Sequence, residues 1–266
     1  MTNHRKRLDT NLRKAYSSME KQEGKMAQSF VKARPAVWKT SLEKKIPENV
    51  YDSLETAFSK GFSLVFDQGR MIIEKTYNKD ELESDYCVRD YAVGIKGRQK
   101  DLRKMQKSAK WADFINLAVT TVEGVGLGII GVGIPDIVLF LSTLLKGVYE
   151  TALHYGFEYE SRQEQLFILK LLETALCDGE EWIRKNAEID EMLVLETVDI
   201  SDDEYGAQLK STSSAFAVDM LLLKFIQGMP VIGVFGGAAN PVYYSKIMRY
   251  VQLKYWKRYL LRKMES

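Results

Sequence analysis

Residues 124–145 read GVGLGIIGVGIPDIVLFLSTLL: five glycines within ten residues, a Pro-Asp step, then a run of large aliphatics. Three structures compete for such a stretch: a membrane segment, a phosphate-gripping loop, or a tight corner between two buried helices. A P-loop needs a lysine and a hydroxyl after its glycines, and neither follows here. A dinucleotide turn needs a preceding strand and a βαβ setting, which the surrounding sequence does not offer. Glu123 and Asp136 bound an uncharged run of twelve residues, 124–135, well short of the ~20 a helix needs to cross hydrocarbon. What remains is a glycine corner, where backbones approach closely because no side chain holds them apart. It feeds a helix opened by Pro135, at a position that needs no N–H donor.

Beyond Pro135, Ile137, Leu141, Leu144, Val148 and Ala152 recur at the helical period, and Val138, Phe140, Leu145 and Tyr149 widen the stripe. Polar residues keep to a narrow line through Asp136, Thr143, Lys146, Glu150 and His154. A helix so patterned is enclosed on most sides, by protein or by lipid. A second glycine segment, GMPVIGVFGGAANPVYYSKIMRYVQLKYW from Gly228, echoes the first, and the two align on Pro135 and Pro241. It is uncharged from Phe225 to Ser245, yet Gln227, Asn240, two prolines and two tyrosines make it a poor span.

Strand signals are nearly absent from the remaining sequence. Asn78 with Glu81, Ser161 with Glu164, and Ser201 with Glu204 each have the spacing of a capping box. The expected helices cover 3–28, 47–76, 79–122, 135–155, 161–176, 178–196, 201–226 and 241–263. The fold class expected is all-α: a single-domain, multi-helix bundle with two glycine-rich helix–helix corners. Residues 1–45 form a basic helix and a loosely structured stretch; 46–266 form the main helical domain. The stripe of the first helix (Leu8, Leu12, Ala15, Met19, Met26) is thin, which suits a mobile basic arm or a partner-binding helix. The start is basic but lacks an apolar core and a small-residue cleavage site, so it reads as neither signal peptide nor anchor.

The net charge of +2 conceals segregation: 1–45 carries +8, 96–110 carries +6, 150–204 carries −12 and 241–266 carries +6. Either these faces satisfy one another within the fold or across a dimer, or the basic termini address an anionic surface. On the final helix, Tyr244, Ile247, Met248, Val251, Tyr255 and Tyr259 form an aromatic stripe. Lys246, Arg249, Lys254 and Lys257 lie on the other side, with Trp256 at the rim, as suits a membrane interface.

Catalytic and metal-binding patterns are poorly served. His4 and His154 have no partner at ligand spacing, and DISDDE lacks the glycine of a calcium loop, so no metal and no cofactor is expected. No GxSxG occurs, and Cys87 and Cys177 each read as a small buried apolar residue in a reducing compartment. Glu123 and Asp136 flank the first glycine turn and are the candidate carboxylate pair. Asp136, early in its helix, is explained by the helix dipole, whereas Glu123 is not. No nucleic-acid module is apparent, so no nucleic-acid partner is expected.

The order of these features resembles the EcsC family of mostly bacterial proteins. The resemblance rests on the glycine turn into Ile134-Pro135-Asp136, the apolar helix closing at Tyr155-Gly156, and the capped RQEQLFILKLL helix. It continues through the late G-x-P-x-x-G segment before a basic terminal helix, and spans about 90–260. It implies a helical protein with no catalytic residue set to carry over; the founding member is encoded beside an ABC transporter linked to secretion. The expected function is that of an accessory or interaction protein, not an enzyme, in a bacterial cytoplasm at the inner face of a membrane. A membrane protein such as a transporter is one partner class. The contact residues expected are Gly124, Gly126, Gly128, Gly131, Gly133 and Pro135, with Gly233, Gly236 and Gly237, for shallow insertion, and Lys246, Arg249, Lys254, Trp256 and Lys257 for anionic lipid. A pore-forming bundle and a hydrolase using Glu123 or Asp136 are the alternatives.

Overall fold

A computed structural model describes residues 3–32, 48–108, 134–194, 199–226 and 241–266. The elements are α1 (Asn3–Lys32), α2 (Glu48–Leu64), a π-helical turn (Val65–Gly69), α3 (Arg70–Glu74), α4 (Lys79–Lys96) and α5 (Gln99–Ser108). They continue with α6 (Ile134–His154), α7 (Arg162–Leu176), α8 (Gly179–Met192), α9 (Asp202–Ile226) and α10 (Pro241–Glu265). Among the described residues there is no strand, and the helices form one all-α bundle. Both glycine-rich corners lie outside the described residues.

The three expected N-caps are present. Asn78, Ser161 and Ser201 accept from the backbone N–H groups of Glu81, Glu164 and Glu204 at 3.2, 3.1 and 3.2 Å, relieving one orphan donor each. The Glu164 side chain does not reach back to its cap; it turns inward to α10, as described below.

Two expected helices differ. The stretch read as one helix over 47–76 contains the π turn at Val65–Gly69, and the stretch read over 79–122 breaks at Gly97. Gly97 adopts φ +53 and its N–H donates to Val93 O at 2.9 Å, the left-handed close that ends a helix. The chain then turns into α5, and Leu8 of α1 packs directly on the Gly97 backbone.

At the centre lies α6, with α2, α4 and α10 packed around it. Leu141, Leu144, Leu145 and Val148 are fully enclosed, each stabilising the fold by roughly 1.5–3 kcal/mol relative to an exposed side chain. Phe58, Phe62 and Phe140 converge on Phe216 of α9 with ring centroids 5.4–6.1 Å apart. At the other end, Tyr155 packs against Trp256 and Tyr259 of α10 at 5.7 and 5.9 Å. Tyr244, near the start of α10, lies against Gly147. Helices α6 and α10 therefore run parallel.

A Schellman close ends α6 at Gly156: Phe157 N–H donates to Ala152 O and Gly156 N–H to Leu153 O, both at 2.9 Å. Arg262 of α10 completes this end, donating to Tyr155 O at 2.7 Å and Gly156 O at 3.0 Å. A cation there also complements the negative end of the helix dipole.

The first helix is docked, which corrects the expectation of a mobile arm. Leu12, Met19 and Phe30 are buried, and Phe30 stacks on Trp182 of α8 at 5.1 Å. Lys246 lies 5.1 Å over the Phe30 ring, while Arg5 reaches Ser266 O at 3.5 Å, so α1 runs antiparallel to α10.

Candidate functional site

The glycines expected to make contacts, Gly124, Gly126, Gly128, Gly131, Gly133, Gly233, Gly236 and Gly237, lie outside the described residues, as does Glu123. Pro135 and Asp136 stand in the first turn of α6, and Pro241 opens α10. Because α6 and α10 are parallel, Pro135 and Pro241 mark helix starts that point the same way.

On α10 the structure corrects the expected membrane face. Arg249 is exposed and Lys246 half-buried, but Lys254, Trp256 and Lys257 are buried. Lys254 has 0% exposure and bridges Glu23 of α1 and Asp190 of α8. Lys257 meets the same two carboxylates at 2.8 and 2.9 Å. An enclosed ammonium is tolerated only with such partners. Burial alone would raise the Glu23 carboxyl, but Lys254 and Lys257 hold it below the ordinary carboxylate value. Lys257 is pulled down by burial and lifted further by Glu23 and Asp190, ending above its usual value. This pair of acids and pair of bases ties three helices together.

Two further inward contacts absorb α10's charge. Arg258 donates to both Glu164 oxygens at 2.8 and 2.7 Å, and Tyr255 donates to Oε1 at 2.6 Å. Lys263 meets Asp90 at 2.8 Å. The basic tail is thus satisfied inside the fold by Glu164 and Asp190 of the acidic middle together with Glu23 and Asp90 from outside it.

The exposed positive charge lies elsewhere. Asn11 donates to Gly97 O at 2.7 Å and Arg7 to Lys96 O, which lays the N-terminal half of α1 across the α4–α5 corner. That crossing gathers Arg5, Lys6, Arg13 and Lys14 of α1 with Lys96 and with Lys100, Arg103, Lys104 and Lys107 of α5, all exposed. The acids of this region are already engaged: Asp9 pairs with Arg13 at 3.0 Å and Asp101 with Arg98 at 2.8 Å. The two basic segments are far apart in the sequence, and their juxtaposition depends on the turn at Gly97.

Beneath this surface, His154 at the end of α6 is buried between α4 and α5. Nε2 donates to Met105 O at 2.9 Å, which leaves Nδ1 to accept from Arg89 at 3.2 Å. Burial first, and Arg89 next, hold its pKa below the usual 6.5. Cys177 is buried, its thiol pushed up to about 12 mainly by burial, whereas Cys87 is exposed on α4, contrary to expectation. Among the described residues no group of three or more His, Cys, Asp or Glu is arranged to hold a metal.

Residues Ile137–His154 of α6 are long and apolar enough to cross a membrane by length and composition. A core helix meets the same test, and α6 has protein packed around it.

No curated protein and no solved structure matches the chain. The model of the EcsC protein family matches residues 11–260, from within α1 to within α10. With its all-helical bundle and capped α7, the chain belongs to the EcsC protein family.

Proposed function

We propose that this protein acts as a peripheral accessory protein at an anionic membrane surface, on the cytoplasmic side, with a membrane protein such as a transporter as its partner there. The observation that carries this reading is the basic surface formed where α1 crosses the α4–α5 corner. Each Lys or Arg near an anionic bilayer contributes about 1 kcal/mol, attenuated by salt. Six bases of this surface (Lys6, Lys14, Lys96, Lys100, Arg103 and Lys107) are exposed and, among the described residues, paired with no carboxylate. Useful, reversible binding follows from that number. The glycine segments, with Lys246 and Arg249, supply a second contact in this reading.

Flotation with anionic and neutral liposomes across a salt series tests it. The expected result is co-flotation with anionic vesicles at low salt, lost as salt rises. Binding indifferent to lipid charge would remove the basis of the reading.

The membrane-length apolar run of α6 favours a second reading, a bundle that opens and inserts. Release of dye from vesicles would support that alternative, because a peripheral protein binds without releasing contents.

A further inference from the structure

Resting on the membrane-surface reading, we propose that the outer flank of α4 enters the bilayer interface, with Val88, Tyr91 and Ile95 as the inserted side chains. The three are 66%, 69% and 55% exposed, although each is large and apolar. They fall at i, i+3 and i+7 and so line one flank of the helix. Single exposed apolar residues are ordinary; a continuous line of them marks a contact. Ser84, Cys87 and Gly94 extend the same flank, which carries no carboxylate from Ser84 to Ile95; Asp80 and Glu81 stand on it only in the first turn of the helix, at the end away from Ile95. Of the other acids of α4, Asp85 is paired with Arg89 and Asp90 with Tyr259 and Lys263, while Glu83 is exposed near the start of the helix.

Charge decides the occupant. The line ends at Ile95, and exposed Lys96 follows it immediately, with Arg7 held against the Lys96 carbonyl and Lys100 just beyond the Gly97 turn. An apolar line edged by cations is complementary to anionic headgroups above acyl chains, and a tyrosine ring is at home at that boundary. A second copy seated on the Ile95 end of this flank with its own basic end would bring two such surfaces together, which like-charge repulsion opposes.

The cysteines supply the probe. Cys87 is exposed on this flank and Cys177 is buried, so a thiol-reactive, environment-sensitive dye such as NBD marks position 87 of the full chain. A control carries the dye on exposed Ala207 of α9 in a C87S/A207C variant. With phosphatidylglycerol-containing vesicles, the dye at 87 is expected to shift to the blue and brighten at least twofold, while the dye at 207 stays silent. V88S/Y91S/I95S, which changes only exposed side chains, is expected to weaken vesicle binding by about tenfold or more at fixed salt. If the protein floats with anionic vesicles but the dye at 87 remains in water, or the triple variant binds as the parent does, insertion is wrong and surface binding stands. Failure to float at low salt overturns both readings. A blue shift that grows with protein concentration and no lipid assigns the flank to a second copy and overturns the proposal, as does an equal shift at 87 and 207.

Discussion

Lys254 donates to Asp190 Oδ1 at 2.5 Å from a side chain with no exposed surface, so the last helix holds a fully enclosed ammonium against α8 while also reaching Glu23 of α1. Removing one member of a buried charge set costs more than the set itself contributes, because the remaining charges lose their compensation. Lys254→Ala is therefore expected to destabilise the protein by about 3 kcal/mol, the lower end of the usual range because Lys257 still faces both acids. Combining Glu23→Gln with Lys254→Ala should recover part of the loss, the parent and the two single variants completing the set. Urea unfolding of the four forms measures this coupling, and strict additivity would show that the pair does not act as a unit.

His154 gives the fold a pH dependence with a defined sign. Its folded pKa lies below the ordinary 6.5, so the neutral ring belongs to the folded state. A depressed folded value contributes stability that is present above about pH 6.5 and is lost as pH falls through the folded value. The groups facing the ring are Arg89 and Asp85 of α4 and the Met105 carbonyl of α5. Glu23 and Glu173 are held below the ordinary 4.5 by their cationic and hydroxyl partners, after opposition from burial, so they remain charged in this window. Unfolding at pH 7.5 and 5.5 should show a loss at the lower pH that His154→Gln reduces. An unchanged loss in that variant would assign the effect elsewhere.

Gly156 stands where both conformation and space require glycine. Its φ is +71, and a Cβ would come within 2.2 Å of the Tyr86 ring. The left-handed conformation costs an L-residue roughly 1–2 kcal/mol, and the overlap with Tyr86 adds an overpacking cost of about 1–3 kcal/mol. Gly156→Ala should lower the melting temperature by roughly 5 °C or more. A melting temperature within a degree of the parent would mean that Tyr86 can move aside freely.

The surface and buried bases should part company in vesicle binding. Neutralising Lys100, Arg103 and Lys107 to Gln removes three exposed charges of α5. At about 1 kcal/mol each, this is expected to weaken binding to anionic vesicles by about a hundredfold with little effect on folding. Lys257→Gln should do the reverse, lowering stability and leaving vesicle affinity of the folded protein unchanged. Equal effects of both sets on flotation would contradict the assignment of the membrane-facing charge to α5.

Local chemistry was the part of this structure open to a sequence reader. Asn78, Ser161 and Ser201 announce their helices because a cap and its N–H lie three residues apart, and the period from Ile137 to Ala152 announces a core helix. Gly97 was legible in principle, since a lysine in a last turn followed by glycine is a helix stop; the apolar-polar rhythm continuing past it hid the break. The fate of Lys254 was not legible, because its partners belong to α1 and α8 and nothing near residue 254 announces them. Lysines on one side of an aromatic stripe look solvent-facing until distant acids are folded against them. The basic surface was half legible: each segment's charge is plain, but only the turn at Gly97 joins them.

Glu23 and Lys254 are 231 residues apart in the chain. During synthesis α1 emerges well before α10, its main charge partner, and waits for it while the more than two hundred residues between them are made. The parallel run of α6 and α10 imposes the same order, because neighbours of that kind cannot zip together through a short hairpin. Closure over so long a loop slows folding relative to an up-and-down bundle of equal size. A nascent chain stopped before residue 241 therefore presents the faces of α1, α6 and α7 without their cover, and that is the species on which chaperones and proteases would act.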